Sequence, residues 1–447
     1  MAIEAVIADK LPSACYRLEK VLVDEREPMS IEEQVQQPTT ALRSSTEVIL
    51  ARCQAINLPG DILDAEGFNP FHHPFDSYSD GFVEIDGSKK LLSGSYSYLG
   101  LGHDERIKKA VASATDQYGL AGHGSRALTG SLDIHKNLES SLASFLGNES
   151  GTIFSTGYST NVATIGTLVG EGDTVITELT NHNSIQTGVA HSGAKILKFT
   201  VSNLATLKRA LERATGTTLV VVDAVFSMDG TILPLPEVVE LCNQYGATLM
   251  LDEAHSFGVL GETGRGIVEH FGMSPEDVDI RMGTLSKAIP SVGGFVVASE
   301  TICRALSRGA HGYLFTGSHT AGATAAALAG LNILRQEPER VIELQEKSAY
   351  FRNRLRDALL PVWGEESIPI IPVVYESLDL VLEMTKALYE KDIFVVPAVH
   401  PAVSKKTPRI RFSITNDHSY GNLDRIVDTF IAINDNLSAR DYGVINL

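Results

Sequence analysis

Among the lysines of the sequence, Lys287 lies in a setting that favours the use of its amine as a nucleophile. Two hydroxyl residues, Thr284 and Ser286, precede it, and the apolar run 293–298 follows soon after. Apolar surroundings desolvate an ammonium group and lower its pKa, which makes the free amine available. A lysine taken alone is more often a solvated loop residue. Polar residues upstream of it, however, could complete a reactive site around this amine, so we interpret Lys287 as catalytic.

Two carboxylates, two histidines and a serine are placed just beyond apolar runs of the sequence. Asp223 and Asp252 directly follow such runs, Ser227 comes shortly after Asp223, and His255 comes three residues after Asp252. His182 lies just past another run. If these apolar runs are parallel strands of one sheet, the residues that follow them lie at its carboxyl edge, where parallel α/β sheets bind their ligands. Either histidine alone is more often structural, but together with Asp252 they favour a functional site at this edge.

A further strand end predicts a seat for an anion. The segment 154–158, Phe-Ser-Thr-Gly-Tyr, runs directly into a predicted helix that starts at about Ser159. Backbone N–H groups at the start of a helix, together with the positive end of the helix dipole, bind anions such as phosphate. Thr156, Gly157 and Tyr158 are therefore candidate phosphate-binding residues.

The elements that must position these residues form a regular series. Between about residues 150 and 300, short β-type runs alternate with helical segments, and several runs are continuously apolar, as strands buried on both faces should be. Strands separated by helices predict βαβ units and an α/β fold with a mostly parallel sheet. The predicted strands are 152–155, 174–177, 195–199, 219–222, 248–251, 280–282 and 294–298.

The pattern divides the chain into three predicted parts. Residues 1–80 lack a clear core pattern and are interpreted as an arm that packs on the main body or on a partner subunit. Residues 81–330 form the large domain, which begins with a hairpin at 82–92 and helices at about 104–118 and 134–146. Residues 331–447 form a smaller α+β domain. Its predicted helices are 341–360, 378–391 and 422–437, and its predicted strands are 368–374, 394–396 and 409–414.

Composition excludes several classes of protein. A net charge of −18 over 447 residues argues against nucleic acid or an anionic membrane surface as the main partner, since both select for basic patches. The four cysteines show neither paired spacing nor a nearby histidine cluster, so neither a metal site nor a disulfide framework is predicted. No apolar run approaches the roughly 20 residues that a membrane span needs. We therefore expect a cytoplasmic protein without a membrane span.

Six motifs in order give the chain a resemblance to a known family. They are Tyr98-Leu-Gly-Leu101, Gly157-Tyr-Ser-Thr-Asn161, Val225-Phe-Ser-Met-Asp-Gly-Thr231, Asp252-Glu-Ala-His-Ser256, Gly261-Glu-Thr-Gly-Arg-Gly266 and Thr284-Leu-Ser-Lys287. In this order they resemble the α-oxoamine synthases among the fold-type I pyridoxal-phosphate (PLP) enzymes. The resemblance covers about residues 80–440. It implies a fold-type I transferase, with a mostly parallel central sheet, helices on both of its faces and a smaller C-terminal α+β domain.

The resemblance implies a role for each candidate residue. Lys287 would hold PLP covalently and then serve as acid and base, and Asp252 would pair with the ring nitrogen. His182 would stack on the ring, and His255 would bond its phenolic oxygen. The phosphate would be held by a set that includes residues of a neighbouring subunit, which implies a homodimer with shared active sites. The implied cofactor residues are Thr156, Gly157, Tyr158, His182, Asp223, Ser227, Asp252, His255, Thr284, Ser286, Lys287, Thr316 and Ser318.

On the substrate side, Arg411 matches the family's arginine for the amino-acid carboxylate, a task that suits a bidentate guanidinium. Arg409 is interpreted as a surface strand residue. The chain departs from the family where Asn is common, at Tyr96-Ser97, and where His400-Pro-Ala replaces Arg-Pro-Pro. It also departs after the lysine, where Ala288-Ile-Pro290 delays the glycines. Ser97 and His400 are therefore candidate substrate residues, and the amino acid and acyl chain stay open.

The resemblance predicts an acyltransferase that condenses an amino acid with an acyl thioester to an α-amino ketone, usually with loss of CO₂. The acyl group would arrive on coenzyme A or on an acyl-carrier protein. An aminotransferase on the same fold is the first alternative, because a fold does not fix a reaction. A non-catalytic partner subunit is the second, although such subunits generally lack the lysine that is present here as Lys287.

Overall fold

The computed structural model describes residues 45–438, so the interpretation of the first 44 residues and of the last nine lies outside the described residues. The chain divides into two compact units, Met1–Asn69 and Pro70–Leu447. In the first unit, the described helix is α1 (Ser45–Ala65), which contains Pro59 and buries none of its residues. The predicted three-part division, with boundaries at 80 and 330, stays a prediction.

A seven-stranded sheet forms the centre of the second unit and begins at residue 150. Its order is β4-β10-β9-β8-β7-β5-β6. Only β10 runs antiparallel to its two neighbours; the other six strands share one direction. The prediction of an α/β fold with a mostly parallel sheet is confirmed. The strands are β4 (Ser150–Phe154), β5 (Thr174–Glu178), β6 (Lys195–Phe199), β7 (Thr218–Asp223), β8 (Thr248–Asp252), β9 (Ile280–Thr284) and β10 (Gly294–Ala298).

The central strands are buried along almost their whole length because helices cover both faces of the sheet. Along β7, Val220 and Val222 belong to one hydrophobic cluster, whereas Leu219 and Val221 belong to another. Successive side chains of a strand point to opposite faces, so each cluster is the core on one side of the sheet. The connecting helices are α4 (Gly157–Leu168), α5 (Asn183–Ser192), α6 (Ala205–Glu212), α7 (Leu235–Tyr245) and α8 (Ile267–His270).

The segment before the central sheet forms a second, smaller sheet and two helices. Strands β1 (Ser77–Ser79), β2 (Phe82–Ile85) and β3 (Ser88–Leu92) are antiparallel, and the last of them pairs in parallel with β12 (Ile393–Phe394). The predicted hairpin and the two helices that follow it are confirmed. These helices are α2 (Glu105–Tyr118), capped by Asp104, and α3 (Asp133–Leu146), which ends at Gly147.

The C-terminal part forms a three-stranded sheet with its own hydrophobic cluster. Strand β14 (Arg409–Ser413) lies between β11 (Ile370–Val374) and β13 (Pro397–Ala398). Ile410 and Phe412 pack into the cluster from β14, so the alternate residues Arg409 and Arg411 face the other side of the strand. The remaining helices are α9 (Glu300–Gly309), α10 (His311–Leu314), α11 (Ala321–Gln336), α12 (Glu339–Asp357), α13 (Leu378–Glu390) and α14 (Tyr420–Ser438).

Within residues 45–438, no helix has the length and apolar character that crossing a membrane requires. The cytoplasmic location expected from the sequence stays a prediction.

Candidate active site

The candidate residues come together at the carboxyl edge of the central sheet. Strands β7, β8 and β9 are neighbours, and they end at Asp223, Asp252 and Thr284, respectively. The register places Asp223 directly opposite Asp252. Lys287 lies in the loop that follows β9, three residues beyond the strand end. The order of the strands therefore brings residues from distant parts of the sequence to one edge.

The amine of Lys287 lies against the ring of His255. The distance from Lys287 Nζ to His255 Nε2 is 2.9 Å. Burial of the ammonium group lowers the pKa of Lys287 to about 8, although the negative charges of Asp252 and Asp223 oppose this shift. The positive charge of Arg411 adds to the lowering. The neutral form of this amine is therefore far more abundant near pH 7 than in an exposed lysine, and a nucleophile or a base requires that form.

His255 is fixed on its other side by Tyr98. The Tyr98 hydroxyl lies 2.8 Å from His255 Nδ1, and both side chains are buried. Burial lowers the pKa of His255 well below its ordinary value, and the nearby charges of Lys287 and Arg411 lower it further. Burial raises the pKa of Tyr98. Both groups are therefore neutral at physiological pH, and their hydrogen bond fixes the plane of the imidazole.

The carboxylate of Asp252 accepts two hydrogen bonds that hold it at the end of β8. Its Oδ1 accepts from the backbone N–H of Ala254 at 2.9 Å, and its Oδ2 accepts from Asn161 Nδ2 at 2.7 Å. Asn161 Nδ2 also lies 2.8 Å from the hydroxyl of Ser184, which lies 2.7 Å from His182 Nδ1. A connected polar chain thus runs from the exposed imidazole of His182 to the buried Asp252.

Sequence reasoning missed Asn161 and Ser184 as members of the site. Both side chains are completely buried in helices, Asn161 in α4 and Ser184 in the first turn of α5. Asn161 stands in one of the quoted family motifs, and a buried amide within an otherwise apolar helix is costly unless it has partners. An asparagine in this apolar helix was therefore the signal available in the sequence, but it does not identify Asp252 as the partner.

Asp223 lies beside Asp252 and has one oxygen without a partner. Its Oδ2 accepts from the backbone N–H of His182 at 2.9 Å, whereas its Oδ1 is buried and accepts no hydrogen bond within the described residues. Burial raises the pKa of Asp223 well above its ordinary value, and the charge of Asp252 raises it further. The carboxyl group therefore binds a proton more readily than an exposed aspartate does. Its Oδ1 can form a hydrogen bond with a polar atom of a ligand.

Hydroxyl groups and helix amides form the anion seat predicted at the start of α4. Thr156 caps this helix and accepts a hydrogen bond from the N–H of Ser159 at 3.0 Å. A side chain at Gly157 would lie 3.0 Å from Thr284 Oγ1, so glycine permits the close approach of α4 to the end of β9. Thr284 Oγ1 is in turn 2.8 Å from Ser286 Oγ. Three hydroxyl groups therefore accompany the N-terminal amides of one helix.

Arg411 presents one unpaired nitrogen. Its Nε donates to the carbonyl oxygen of Ser227 at 2.7 Å, and its Nη1 donates to Ser413 Oγ at 2.8 Å. Nη2 is buried and donates to no acceptor within the described residues. Because an unsatisfied buried donor of a charged group is costly, this nitrogen is suited to an anionic partner such as a carboxylate.

The interpretation of Arg409 as a surface residue was wrong, since its side chain is only 3% exposed. Its guanidinium pairs with the Asp229 side chain, donates to the carbonyl oxygen of Met228 at 3.2 Å and stacks on Trp363. The segment 227–229 covers the face of β14 that Arg409 shares with Arg411. The alternation of polar and apolar residues along β14 predicts one polar face, but it does not reveal that a distant loop covers that face.

The other candidates lie on neighbouring loops. Ser318 donates through Oγ to the carbonyl oxygen of Gly122 at 2.6 Å, and Thr316 is half-buried two residues before it. Ser97 is half-buried in the turn before Gly100. His400 is exposed in the loop between β13 and β14, and no hydrogen bond within the described residues joins its side chain to the site. The direct contribution of these four residues stays a prediction.

The residues present fit a phosphorylated pyridine aldehyde. Lys287 supplies an amine of lowered pKa, and Asp252 supplies a fixed carboxylate. Asp223 and Arg411 leave polar atoms without partners. The hydroxyls at the start of α4 supply a phosphate seat, and the exposed imidazole of His182 supplies a ring for stacking.

Known proteins are similar to this chain in sequence and in fold. Residues 88–430 match the family described as aminotransferase class I and II. A serine palmitoyltransferase from Bacteroides ovatus is 37% identical over 82% of this chain and 93% of its own. An 8-amino-7-oxononanoate synthase from Symbiobacterium thermophilum is 37% identical over 81% of this chain and 91% of its own. A solved serine palmitoyltransferase from S. paucimobilis with a bound PLP–myriocin aldimine is 29% identical, with a TM-score of 0.85, over 89% of this chain and 100% of that one.

Proposed function

The chain belongs to the class I and II aminotransferase family and, within it, to the α-oxoamine synthases, and from this premise we propose that it is a PLP-dependent acyltransferase. It condenses an amino acid with an acyl thioester to an α-amino ketone, usually with release of CO₂. The observation that carries the proposal is the position of the Lys287 amine, which has a lowered pKa beside His255 and the two strand-end aspartates. The named relatives are synthases that join such substrates, so they favour this reaction over amino-group transfer.

We assign the cofactor-holding residues from the geometry of the sheet edge. Lys287 would hold the aldehyde carbon, and Asp252 would hold the ring nitrogen, with Asn161 keeping the carboxylate in place. His182 would lie against the ring, and His255 would bond its phenolic oxygen. The phosphate would be held at the start of α4 by Thr156, Gly157, Tyr158, Thr284 and Ser286. Bound PLP supplies an electron sink for negative charge that develops on the α-carbon of the substrate.

The protein's own groups move protons and orient the substrate. With its lowered pKa, the Lys287 amine is neutral far more often than that of an exposed lysine, so it could take a proton from the α-carbon or return one to it. His255 is neutral and held by Tyr98, so it orients the amine without competing for its proton. Arg411 binds the amino-acid carboxylate through its unpaired Nη2 and thereby fixes the α-carbon relative to Lys287.

The experiment that tests the reaction follows thiol release. We would incubate the PLP-loaded enzyme with each common amino acid and with short, medium and long acyl-CoA, and measure free thiol and product mass. We expect thiol release that depends on the amino acid, with a product mass equal to the joined fragments less CO₂ where it is lost. Acyl-carrier-protein thioesters form a parallel series, because the acyl group of some condensations arrives on a carrier protein.

An aminotransferase gives a different result in the same experiment. It leaves the amino group on the cofactor and needs a 2-oxo acid to recover. Conversion of the cofactor to its amine form, reversed by 2-oxo acids and indifferent to every CoA or carrier-protein thioester, would contradict the synthase proposal.

We further propose that the active unit is a two-fold symmetric dimer with shared active sites. Thr316 and Ser318, which follow Phe315, reach the phosphate of the partner's cofactor. Phe315 is 80% exposed, and Leu120 and Leu128 on the adjoining glycine-rich segment are 81% and 82% exposed. Exposed apolar side chains around a ligand site favour a protein interface.

Replacement of Phe315 by glutamate should therefore weaken the dimer, because it places a charge in the proposed apolar interface. We expect sedimentation at micromolar concentration to show a larger monomer fraction, and the monomer to retain PLP less well. Leu359→Glu is the matched control, since Leu359 is 92% exposed on a separate surface turn. A wild-type protein that is monomeric and fully active at that concentration would rule out the shared site.

A further inference from the structure

The turn 226–231 connects the central sheet with the C-terminal sheet. It begins shortly after Asp223 at the end of β7, and backbone hydrogen bonds within the turn close it. Its tip lies on the C-terminal sheet, because a Cβ at Gly230 would be 2.6 Å from the carbonyl oxygen of Ile370 on β11. Gly230 also has a φ of 68°, so glycine is needed at this point of contact. The turn thus joins the strand that carries Asp223 to the sheet that carries Arg411.

Arg409 holds the tip of this turn, and every nitrogen of its guanidinium is engaged. Nη1 donates to the carbonyl oxygen of Met228 at 3.2 Å and pairs with the Asp229 carboxylate. Nε and Nη2 donate to the carbonyl oxygen and the hydroxyl of Thr407, at 3.1 and 3.0 Å. The guanidinium carbon lies 4.9 Å from the centroid of the Trp363 ring. The charge of Arg409 is therefore neutralised inside the protein, and its contacts fix the turn on β14.

Arg411 lies on the same face of β14 but has a different environment. Its Nε and Nη1 donate to uncharged oxygens, those of Ser227 and Ser413, and its Nη2 donates to no acceptor within residues 45–438. Ser227 directly precedes the two residues that Arg409 holds. One arginine is therefore neutralised by the turn. The other keeps its charge for a ligand and takes its orientation from the same turn.

The carbonyl of Ser227 can orient Arg411 only while the turn keeps its place. A backbone carbonyl is fixed by the residues around it, and here the next two residues are held by Arg409. Without those contacts, the N–H of Glu365 would still bond the carbonyl of Gly230, but residues 227–229 would lose their contact with β14. Nε of Arg411 would then lose its acceptor, and Nη2 would point in several directions. A charge-assisted hydrogen bond to a carboxylate weakens when its donor is not aligned.

We propose that Arg409 and Asp229 are positioning residues for the carboxylate of the amino-acid substrate. They clamp the turn 226–231 on β14 and thereby orient Arg411 through the carbonyl of Ser227. This inference rests on the proposed function, because it concerns the amino acid that the synthase condenses. The Arg409 side chain is buried and its nitrogens are engaged, so it acts through another residue and not on the ligand. Its effect therefore falls on ligands that carry a carboxylate, and retention of PLP is unchanged.

The test compares ligands that differ only in the carboxylate. PLP-loaded wild type, Arg409→Gln and Asp229→Asn are titrated with glycine, L-alanine, L-serine and L-phenylalanine, and with the corresponding amines methylamine, ethylamine, ethanolamine and phenethylamine. Binding is followed as the change in cofactor absorbance. We expect both substitutions to weaken amino-acid binding by about 10-fold, a size typical of residues coupled in one network, and to leave amine binding unchanged. Arg409→Lys keeps the ion pair but not the planar fork, so its loss should be smaller.

A double variant tests whether Arg409 acts through Arg411. In an Arg411→Gln background, Arg409→Gln should weaken amino-acid binding no further, because the group that it orients is already absent. Arg354→Gln is the matched control, since Arg354 forms ion pairs in the same C-terminal part with Asp424 and Asp428, which do not belong to the turn. This control should leave turnover and the binding of both ligand classes unchanged.

The outcomes separate this inference from the proposed function. An equal loss of affinity for amino acids and amines would show that Arg409 only stabilises the fold, and would overturn the proposal. Full additivity of the Arg409 and Arg411 substitutions would also overturn it. If Arg409→Gln does not fold, Asp229→Asn decides the question, because the Asp229 side chain is 31% exposed and its replacement removes only a charge. A wild type whose absorbance changes with no amino acid, and which releases no thiol, would overturn the proposed function itself.

Discussion

Replacement of Lys287 by alanine should lower turnover by about 10³-fold or more, because the variant loses its proton-transfer group. Lys287 has a pKa of about 8, and its amine lies 2.9 Å from His255 Nε2. The loop 285–293 contains no other lysine, so no neighbouring amine can replace it. PLP should still bind, although more weakly, since the phosphate seat is unchanged. Thiol release under saturating substrates measures the loss, and dialysis followed by absorbance measures retention of PLP.

A chemical label tests the same assignment independently of activity. Borohydride treatment of the wild-type holoenzyme should fix PLP on the peptide that contains Lys287, and the alanine variant should yield no such peptide. Lys195→Ala is the control, because Lys195 is an exposed lysine on β6 that donates to the carbonyl oxygen of Arg213. Recovery of the label on any other lysine of the wild type would overturn the assignment of Lys287.

Replacement of Asp252 by asparagine should lower turnover by about 10²-fold or more, which corresponds to about 3 kcal/mol of barrier. Asparagine keeps the shape of the side chain but removes the negative charge that, in the proposed assignment, would hold a proton on the ring nitrogen of PLP. The electron sink depends on that proton, so the effect should fall on turnover rather than on PLP binding. Steady-state kinetics and absorbance of the bound cofactor measure the two quantities separately.

The fold around Asp252 should tolerate this replacement. The next residue, Glu253, is buried in an ion pair with Arg281 and accepts a hydrogen bond from Ser256 Oγ at 2.7 Å, so the end of β8 is held independently of the aspartate. Asp223→Asn is the informative comparison. Because burial raises the pKa of Asp223, its carboxyl group resembles an amide more closely, and we expect a smaller loss of turnover. Near-normal turnover of Asp252→Asn would show that another group sets up the electron sink.

The sequence by itself determined the elements of the fold and the chemical types at the site. Strands β5 and β7 to β10 are buried along almost their whole length, so their apolar runs identify them locally, whereas the edge strand β6 is largely exposed. The observed bounds of all seven strands differ from the predicted ones by at most two residues at either end. Asp223, Asp252 and Thr284 could be placed at one edge because they end strands that share one direction.

Only the tertiary structure decided which side chains meet. Asn161 contacts Asp252 across 91 positions of sequence, and Tyr98 contacts His255 across 157. Arg409 is buried because the segment 227–229 lies over its strand. Tyr96 lies against Arg411 because the N-terminal and C-terminal parts of this unit converge at the sheet edge. A local pattern reports the periodicity of one element and the polarity of its faces. The partner of a buried polar group depends on how distant elements pack, which the order of the residues in one segment does not encode.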